Sequence, residues 1–105
     1  MIARVWRGQT TEANAEAYRR FLTSKIFPSL EKISGHLGAY LLRSGQGEHI
    51  EFVVMSFWES MESIGQFAGD NVDTAVVEPE ARAILSDFET FVRHYEVAHN
   101  SVKKN

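Results

Sequence analysis

His94 is the residue of this chain best suited to move a proton. An imidazole with an ordinary pKa near 6.5 takes up and releases protons close to neutrality, which makes histidine the commonest general base. Glu96 follows two residues later, and the alternation of a β-strand places both side chains on one face. We therefore predict His94 as a catalytic base; the alternative is a strand histidine held by Glu96 or solvated at the edge of a sheet.

Aromatic and basic side chains are candidates for contacts to a ligand. They are Trp58, Phe67, Tyr40, Tyr95, Arg43 and Arg4. The tryptophan and phenylalanine offer rings for a pocket wall, the tyrosines can donate hydrogen bonds, and the arginines can pair with an anion. Each type also has a purely structural use: packing in a core or dimer interface, anchoring a sheet, or forming surface ion pairs.

Several kinds of site are excluded by the motifs that the sequence lacks. The four histidines, His36, His49, His94 and His99, are dispersed, without HxH, HxxxH or HExxH spacing. With no cysteine, neither a disulfide nor a thiolate metal site is possible. Phosphate-loop and dinucleotide glycine patterns and a nucleophile elbow are absent as well. We expect neither a bound metal nor a cofactor.

Length and charge limit the domain organisation and the partners. A chain of 105 residues holds one core, which we assign to residues 1–98, with a polar tail at 99–105. The net charge of −3 argues against binding nucleic acid through phosphate contacts. No stretch resembles a signal peptide or the roughly 20 apolar residues of a membrane span. We therefore expect a cytoplasmic protein that contacts neither nucleic acid nor a membrane.

The stretch 49–59, HIEFVVMSFWE, predicts a central strand, because its apolar run from Phe52 to Trp58 is broken only by Ser56, is dominated by β-branched and aromatic residues, and contains no Gly or Pro. Strands are also predicted over 2–7, 37–43 and 88–97. One helix is predicted from Glu12 to a stop or kink at Phe27, caused by Pro28, with Thr10 or Thr11 as its cap. Another is predicted from a Ser60 cap to Ala68, ended by Gly69. Residues 70–78 are undetermined, and a helical segment starts at Pro79.

This order predicts an α+β fold of the ferredoxin-like βαββαβ plan, a four-stranded antiparallel sheet with helices on one face. Apolar residues alternate onto both faces of the strands, and two helices cover only one face. The uncovered face would be a larger apolar patch than a monomer tolerates. We therefore predict a homodimer formed through that sheet face.

The segments EFVVMSFWES, FAGD, AVVEPEAR and FVRHYEV resemble the antibiotic biosynthesis monooxygenase-like proteins of the dimeric α+β barrel superfamily. The resemblance covers nearly the whole chain and implies that two sheets pair into a dimeric α+β barrel. It also implies one of several activities, because the family includes cofactor-free oxygenases of polyketide quinones, haem-degrading enzymes, signal-molecule oxygenases and proteins without known activity.

Haem degradation is disfavoured by the residues at the positions that the resemblance makes comparable. The haem-degrading members carry an asparagine on the first strand, a tryptophan on the second helix and a histidine soon after it. This chain has Arg4 and Phe67 near the first two positions, and no histidine between Ser60 and Phe91. An imidazole ligand for iron is therefore missing.

The resemblance and the candidate residues together favour a cofactor-independent monooxygenase that acts on a small aromatic or quinone-like metabolite. In such an enzyme the substrate loses a proton and its electron-rich anion reacts with dioxygen, which requires an apolar pocket, a base and oxyanion donors. The alternative is a non-catalytic dimeric protein of the same fold that binds a small apolar ligand.

Overall fold

An antiparallel sheet with helices on one face forms the framework of the computed structural model, which describes residues 1–103. Its strands are β1 (Ile2–Thr10), β2 (His36–Gln46), β3 (His49–Trp58), β4 (Asp87–Phe88) and β5 (Arg93–Glu96). The sheet order is β2-β3-β1, and β4 and β5 pair in succession along the other edge of β1. The predicted ferredoxin-like plan is confirmed. Lys104 and Asn105, at the end of the predicted polar tail, lie outside the described residues.

Within residues 1–103, four α-helices connect these strands, and a π-helical turn joins the first two. They are α1 (Glu12–Phe21), α2 (Phe27–Leu30), α3 (Met61–Ala68) and α4 (Pro79–Ile84), with a π-helical turn at Leu22–Ile26 between α1 and α2. Ser60 caps α3 as predicted, its hydroxyl accepting the Ser63 N–H at 3.3 Å. Gly69 follows α3 with a φ of 78°, a conformation that favours glycine.

The sequence predicts a stop or a kink of the first helix at Phe27; the helix does not stop there but changes its type just before this residue. In the π-helical turn the Phe27 N–H donates to the carbonyl of Leu22, five residues back, and the backbone then re-enters α-helix. Pro28 falls in the first turn of α2, where a missing N–H is tolerated. The predicted capping hydrogen bond is also absent: Thr11 occupies the cap position without a side-chain bond, and the Thr10 hydroxyl donates to Ile84 O instead.

The predicted strand over residues 88–97 is interrupted in its middle. Backbone groups of residues 90–92 form hydrogen bonds with residues 73–75 instead of with β1. The Ala75 N–H donates to Thr90 O at 2.9 Å, and the Val92 N–H donates to Asp73 O at 2.8 Å. The edge of the sheet is thus split into β4 and β5. The same bonds hold the irregular segment 70–78 against the sheet.

Side chains alternate between a covered and an open face of the sheet. On β3, Ile50, Phe52 and Trp58 are buried beneath the helices, whereas Val53, Met55 and Phe57 are partly exposed on the opposite face. Exposed apolar side chains of the neighbouring strands extend this open face: Leu37, Tyr40, Leu42 and Tyr95. The sheet therefore carries apolar residues on both faces, as predicted.

Among the helices of residues 1–103, none is both long and apolar enough to cross a bilayer.

Candidate functional site

A cavity of about 70 Å³ lies between the covered face of the sheet and the helices. Its walls are mostly apolar, contributed by Phe21, Leu22, Ile26, Phe67, Val76 and Val77. Residues 70–78, which we call the roof segment, close one side through the two valines and Glu78. An apolar cavity with a few polar groups is the usual form of a small-ligand site.

The register of the sheet brings three polar residues into one row on the covered face. Arg4 lies at the centre of β1, opposite Ser56 on β3 and opposite His94 on β5. Arg4 and Ser56 both line the cavity, and His94 contacts Arg4 from the edge of the sheet. The sequence predicted the alternation of each strand but not this register, which depends on how the strands pair.

Arg4 is 5 % exposed and links the sheet to the roof segment. Its Nη1 donates to Val72 O at 2.5 Å and to His94 Nε2 at 3.0 Å, and its Nη2 donates to Thr74 O at 3.2 Å. Its guanidinium also lies 5.7 Å from the centre of the Phe67 ring, within reach of a cation–π interaction. Arg4 is therefore the only side chain found, within residues 1–103, to donate to the carbonyls of Val72 and Thr74.

The charge of Arg4 has no direct counter-ion. In the described part of the chain, no carboxylate lies within 4.0 Å of its guanidinium. Burial lowers the pKa of Arg4 to about 10, and the nearby Asp73 carboxylate opposes this shift. Arg4 is still charged at neutral pH. Three of its five N–H groups are engaged; the Nε–H and one Nη2–H have no partner among residues 1–103.

The contact with Arg4 determines the tautomer of His94. A guanidinium has no acceptor, so His94 Nε2 must accept the hydrogen bond and Nδ1 carries the proton of the neutral ring. Nδ1 lies 3.3 Å from Asp73 Oδ1. Burial and the positive charge of Arg4 lower the pKa of His94, whereas Asp73 raises it. His94 is thus held neutral, with its lone pair occupied, and it is not among the residues that line the cavity.

Two hydroxyl groups complete the polar lining. The Tyr18 hydroxyl makes no hydrogen bond to any described residue, although the side chain is only 2 % exposed. Burial, reinforced by the Glu78 carboxylate, raises the pKa of Tyr18, so this group remains a protonated donor. Ser56 Oγ accepts the Trp58 Nε1–H at 2.8 Å and keeps its own hydrogen to donate. Both hydroxyls are available to a ligand.

Tyr18 was missed as a site residue because its spacing places it in the apolar stripe of the first helix. A signal was nevertheless present in the sequence. A tyrosine in a buried stripe carries a hydroxyl that needs a partner, unlike the phenylalanine or leucine that would fill the same space.

The residues predicted for the site are distributed over different parts of the molecule. Phe67 lines the cavity, and Trp58 is fully buried behind it, stacked on the Phe67 ring with centroids 6.2 Å apart. Tyr40 and Tyr95 lie on the open face of the sheet, and Arg43 pairs with Glu12 at the surface. The structure thus does not bring Tyr40, Tyr95 or Arg43 to this cavity.

Within residues 1–103, no three histidine, aspartate or glutamate side chains gather closely enough to hold a metal ion.

The fold and the cavity define a ferredoxin-like α+β protein with a mostly apolar cavity between sheet and helices. The chain belongs to the antibiotic biosynthesis monooxygenase family, whose model matches residues 1–71, from β1 through α3. The match ends just before the roof segment residues that Arg4 contacts, and before His94. No curated protein sequence matches the chain.

Solved structures share the fold over nearly the whole chain. A protein of unknown function from Nitrosomonas europaea is 17% identical, with 99% of this chain and 95% of that one covered and a TM-score of 0.71. A monooxygenase from Streptomyces coelicolor in complex with nanaomycin D is 16% identical, covering 99% and 91%, with a TM-score of 0.64. A haem-degrading protein from Mycobacterium tuberculosis with two haems bound in its active site is 22% identical, covering 97% and 100%, with a TM-score of 0.61. At these identities the likeness establishes the fold alone.

Proposed function

We propose that this protein is a cofactor-independent monooxygenase acting on a small aromatic or quinone-like metabolite. The observation that carries this proposal is an apolar cavity that holds a buried guanidinium and two free hydroxyl donors, those of Tyr18 and Ser56. Such donors stabilise the oxyanion of a deprotonated phenol or enol in a site that excludes water. Family membership and the nanaomycin D complex of the Streptomyces coelicolor monooxygenase add support.

The chemistry needs no electron carrier because the substrate is the reductant. A proton leaves an acidic methylene of an anthrone-like substrate, and the resulting carbanion-enolate transfers electrons to dioxygen. In the complete reaction a CH₂ group and O₂ give a C=O group and H₂O. One oxygen atom enters the product and the other leaves as water, with all four electrons supplied by the methylene carbon.

His94 is our candidate for the base that accepts the substrate proton. Proton acceptance at Nε2 requires Arg4 to release that nitrogen. A substrate that is already ionised at a phenol oxygen could draw the guanidinium towards that oxygen through the free N–H groups of Arg4, which would weaken the Arg4–His94 hydrogen bond and expose the Nε2 lone pair to the methylene proton. In this scheme, ligand binding and activation of the base occur together.

Binding of an aromatic ring requires the roof segment to move. The cavity of about 70 Å³ is smaller than the roughly 150 Å³ cavity that holds benzene in an engineered protein, and far below the roughly 300 Å³ of a typical ligand pocket. The roof segment lacks regular structure and is held by few hydrogen bonds. We therefore expect the roof segment to move when a ligand binds.

A non-catalytic protein that binds a small ligand remains the second candidate. The observation that favours it is the occupied Nε2 of His94, because no free base then faces the cavity. Haem degradation is disfavoured under both proposals, since none of the four histidines lines the cavity and its volume is far too small for a porphyrin. A haem titration without a Soret shift is the expected result.

Oxygen uptake separates the two candidates. Purified protein is incubated with anthrone or a hydroquinone, with protein-free autoxidation as the control. For an oxygenase acting on anthrone we expect uptake of one O₂ per product and incorporation of one ¹⁸O atom from ¹⁸O₂. Saturable binding, followed by tryptophan fluorescence, with uptake no faster than autoxidation would instead identify a binding protein.

A further inference from the structure

We infer that the cavity binds its ligand as a monoanion, a phenolate, and that Arg4 is the residue that selects this charge state. The inference deepens the proposed oxygenase function by naming the ionisation state of its substrate. It depends on the surroundings of Arg4 rather than on the reaction.

The first argument is the electrostatic state of the cavity without a ligand. Arg4 is buried and charged, and no carboxylate within the described residues contacts it. Asp73 is the nearest acid, but its carboxylate is mostly exposed and is directed at His94. Burying a cation without a counter-ion costs free energy. A ligand anion at the free N–H groups of Arg4 would reduce that cost.

The second argument is the number and kind of donors. Two N–H groups of Arg4 and the hydroxyls of Tyr18 and Ser56 are free, and all three residues line the cavity. This set matches one oxygen atom that carries a negative charge, with the apolar walls receiving the rest of the ligand. It does not match a phosphate, whose several charged oxygens would face the valines and phenylalanines of the wall.

Glu78 sets an upper limit on the charge of the ligand. The Glu78 carboxylate lines the cavity from the roof segment but is partly exposed, so water weakens its electrostatic interactions. Arg4 is buried, so its interactions are weakened less. For a ligand with a single negative charge, the attraction to Arg4 therefore exceeds the repulsion from Glu78. A second negative charge, directed at the roof, would meet Glu78 without a compensating cation.

The probe that tests this inference is 4-nitrophenol, because its phenol and phenolate forms differ in absorbance. Its pKa is titrated with and without saturating protein. An opposite charge within about 4–6 Å lowers a pKa by about 1–3 units, so we expect the phenolate to bind about 10- to 1,000-fold more tightly than the phenol. Because the cation is buried, this preference should change little with added salt.

Variants assign the effect to Arg4. Arg4→Gln should bind the two forms about equally, whereas Arg4→Lys, which retains a cation, should keep a preference for phenolate. Arg20→Gln is the control, because Arg20 is exposed on α1 and lines neither the cavity nor the open face of the sheet, and it should bind as the parent protein does. Tyr18→Phe should weaken phenolate binding about threefold to tenfold through the loss of one hydrogen bond.

Several results would overturn the inference. They are an unchanged or raised pKa of the bound probe, a shift that survives in Arg4→Gln, and no binding at millimolar probe. Should Arg4→Gln fail to fold, the shift in the parent protein and its reduction in Tyr18→Phe decide the question. A lowered pKa of the bound probe without oxygen uptake would support the anion site and refute the oxygenase proposal. Oxygen uptake with an unshifted pKa would support the oxygenase and refute the anion site.

Discussion

The hydrogen bond from Arg4 to His94 gives the histidine two conceivable roles, as a base or as a support that orients the guanidinium. Replacing His94 by Ala removes both roles. Replacing it by Gln removes only the base, because the Gln side-chain oxygen can still accept an Arg4 N–H. The pair of variants therefore separates the two roles.

If His94 is the base, His94→Ala and His94→Gln should both lower kcat for the oxygenation by about 10²- to 10⁴-fold. Stopped-flow or electrode measurements of oxygen uptake at saturating substrate provide the test. His99→Ala, in the exposed tail, is the control and should keep the full rate. A His94→Gln variant with nearly full activity and an unaltered pH profile would show that the residue only positions Arg4.

Two half-buried histidines predict how stability depends on pH. Burial lowers the pKa of both His36 and His94 below the ordinary 6.5. The unfolded chain therefore binds more protons than the folded one as the pH falls through 6.5, so acidification favours unfolding. We expect the free energy of unfolding to be constant near pH 7.5 and to decrease from about pH 6.5 downwards.

Urea unfolding at fixed protein concentration between pH 5 and 8 measures this dependence. The double variant His36→Gln, His94→Gln should show a flatter profile between pH 5 and 6.5, because glutamine does not titrate. A free energy of unfolding that rises on acidification through this range would contradict the assigned direction of both pKa shifts.

At the residue scale, sequence periodicity predicted which side chains of a strand share a face but not which face the helices cover; the structure places His94 on the covered face, beside Arg4. What it could not supply is the contact of Arg4 with Val72 and Thr74, about 70 positions away. That contact depends on the path of an irregular segment with no periodicity of its own. The importance of Arg4 could therefore be recognised only from the fold.

At the scale of elements, α3 was predictable because its signals are local. Ser60, the apolar stripe and Gly69 all lie within one short stretch and agree with one another. The π-helical turn and the split between β4 and β5 were not predictable. The split between β4 and β5 arises from hydrogen bonds to residues 73–75. The local secondary-structure preference of residues 89–92 does not predict it.

The end of α3 provides a matched pair of glycine substitutions. Gly69 has a φ of 78° and a ψ of −159°, a region that is nearly exclusive to glycine. Gly65 is helical, and open space surrounds the position of an added Cβ. Gly69→Ala should therefore reduce the free energy of unfolding by about 1–3 kcal/mol, whereas Gly65→Ala should increase it by about 0.5–1 kcal/mol.

Chemical denaturation of the two variants beside the parent protein tests this pair. Because Gly69 leads into the roof segment, Gly69→Ala should also change the affinity for 4-nitrophenol, whereas Gly65→Ala should not. Stabilisation by both substitutions would mean that the chain leaves α3 by a different path from the one described here.

At the scale of the whole molecule, the open face of the sheet carries exposed apolar side chains, which we propose a second copy of the chain covers. Leu42 is 43 % exposed on this face, on the edge strand β2 and opposite Val53. Leu42→Lys should convert a dimer into monomers, since a lysine from each copy would be buried in the interface. Met61→Lys, at a 38 % exposed residue of α3 on the helical side, is the control.

Sedimentation velocity at micromolar concentration distinguishes the species. The parent protein and Met61→Lys should sediment as dimers, and Leu42→Lys as a folded monomer with an unchanged circular dichroism spectrum. A parent protein that is monomeric at this concentration would refute the proposed pairing through the open face.

The family match ends at residue 71, and the first carbonyl that Arg4 binds belongs to Val72. Strands β1 to β3 and the cover of the cavity thus occupy adjacent but separate stretches of the chain. Grafting a relative's loop between Gly69 and Pro79 would then exchange one ligand preference for another while these three strands stay intact. Such modularity would let proteins of one shape diversify in chemistry through changes to fewer than a dozen codons.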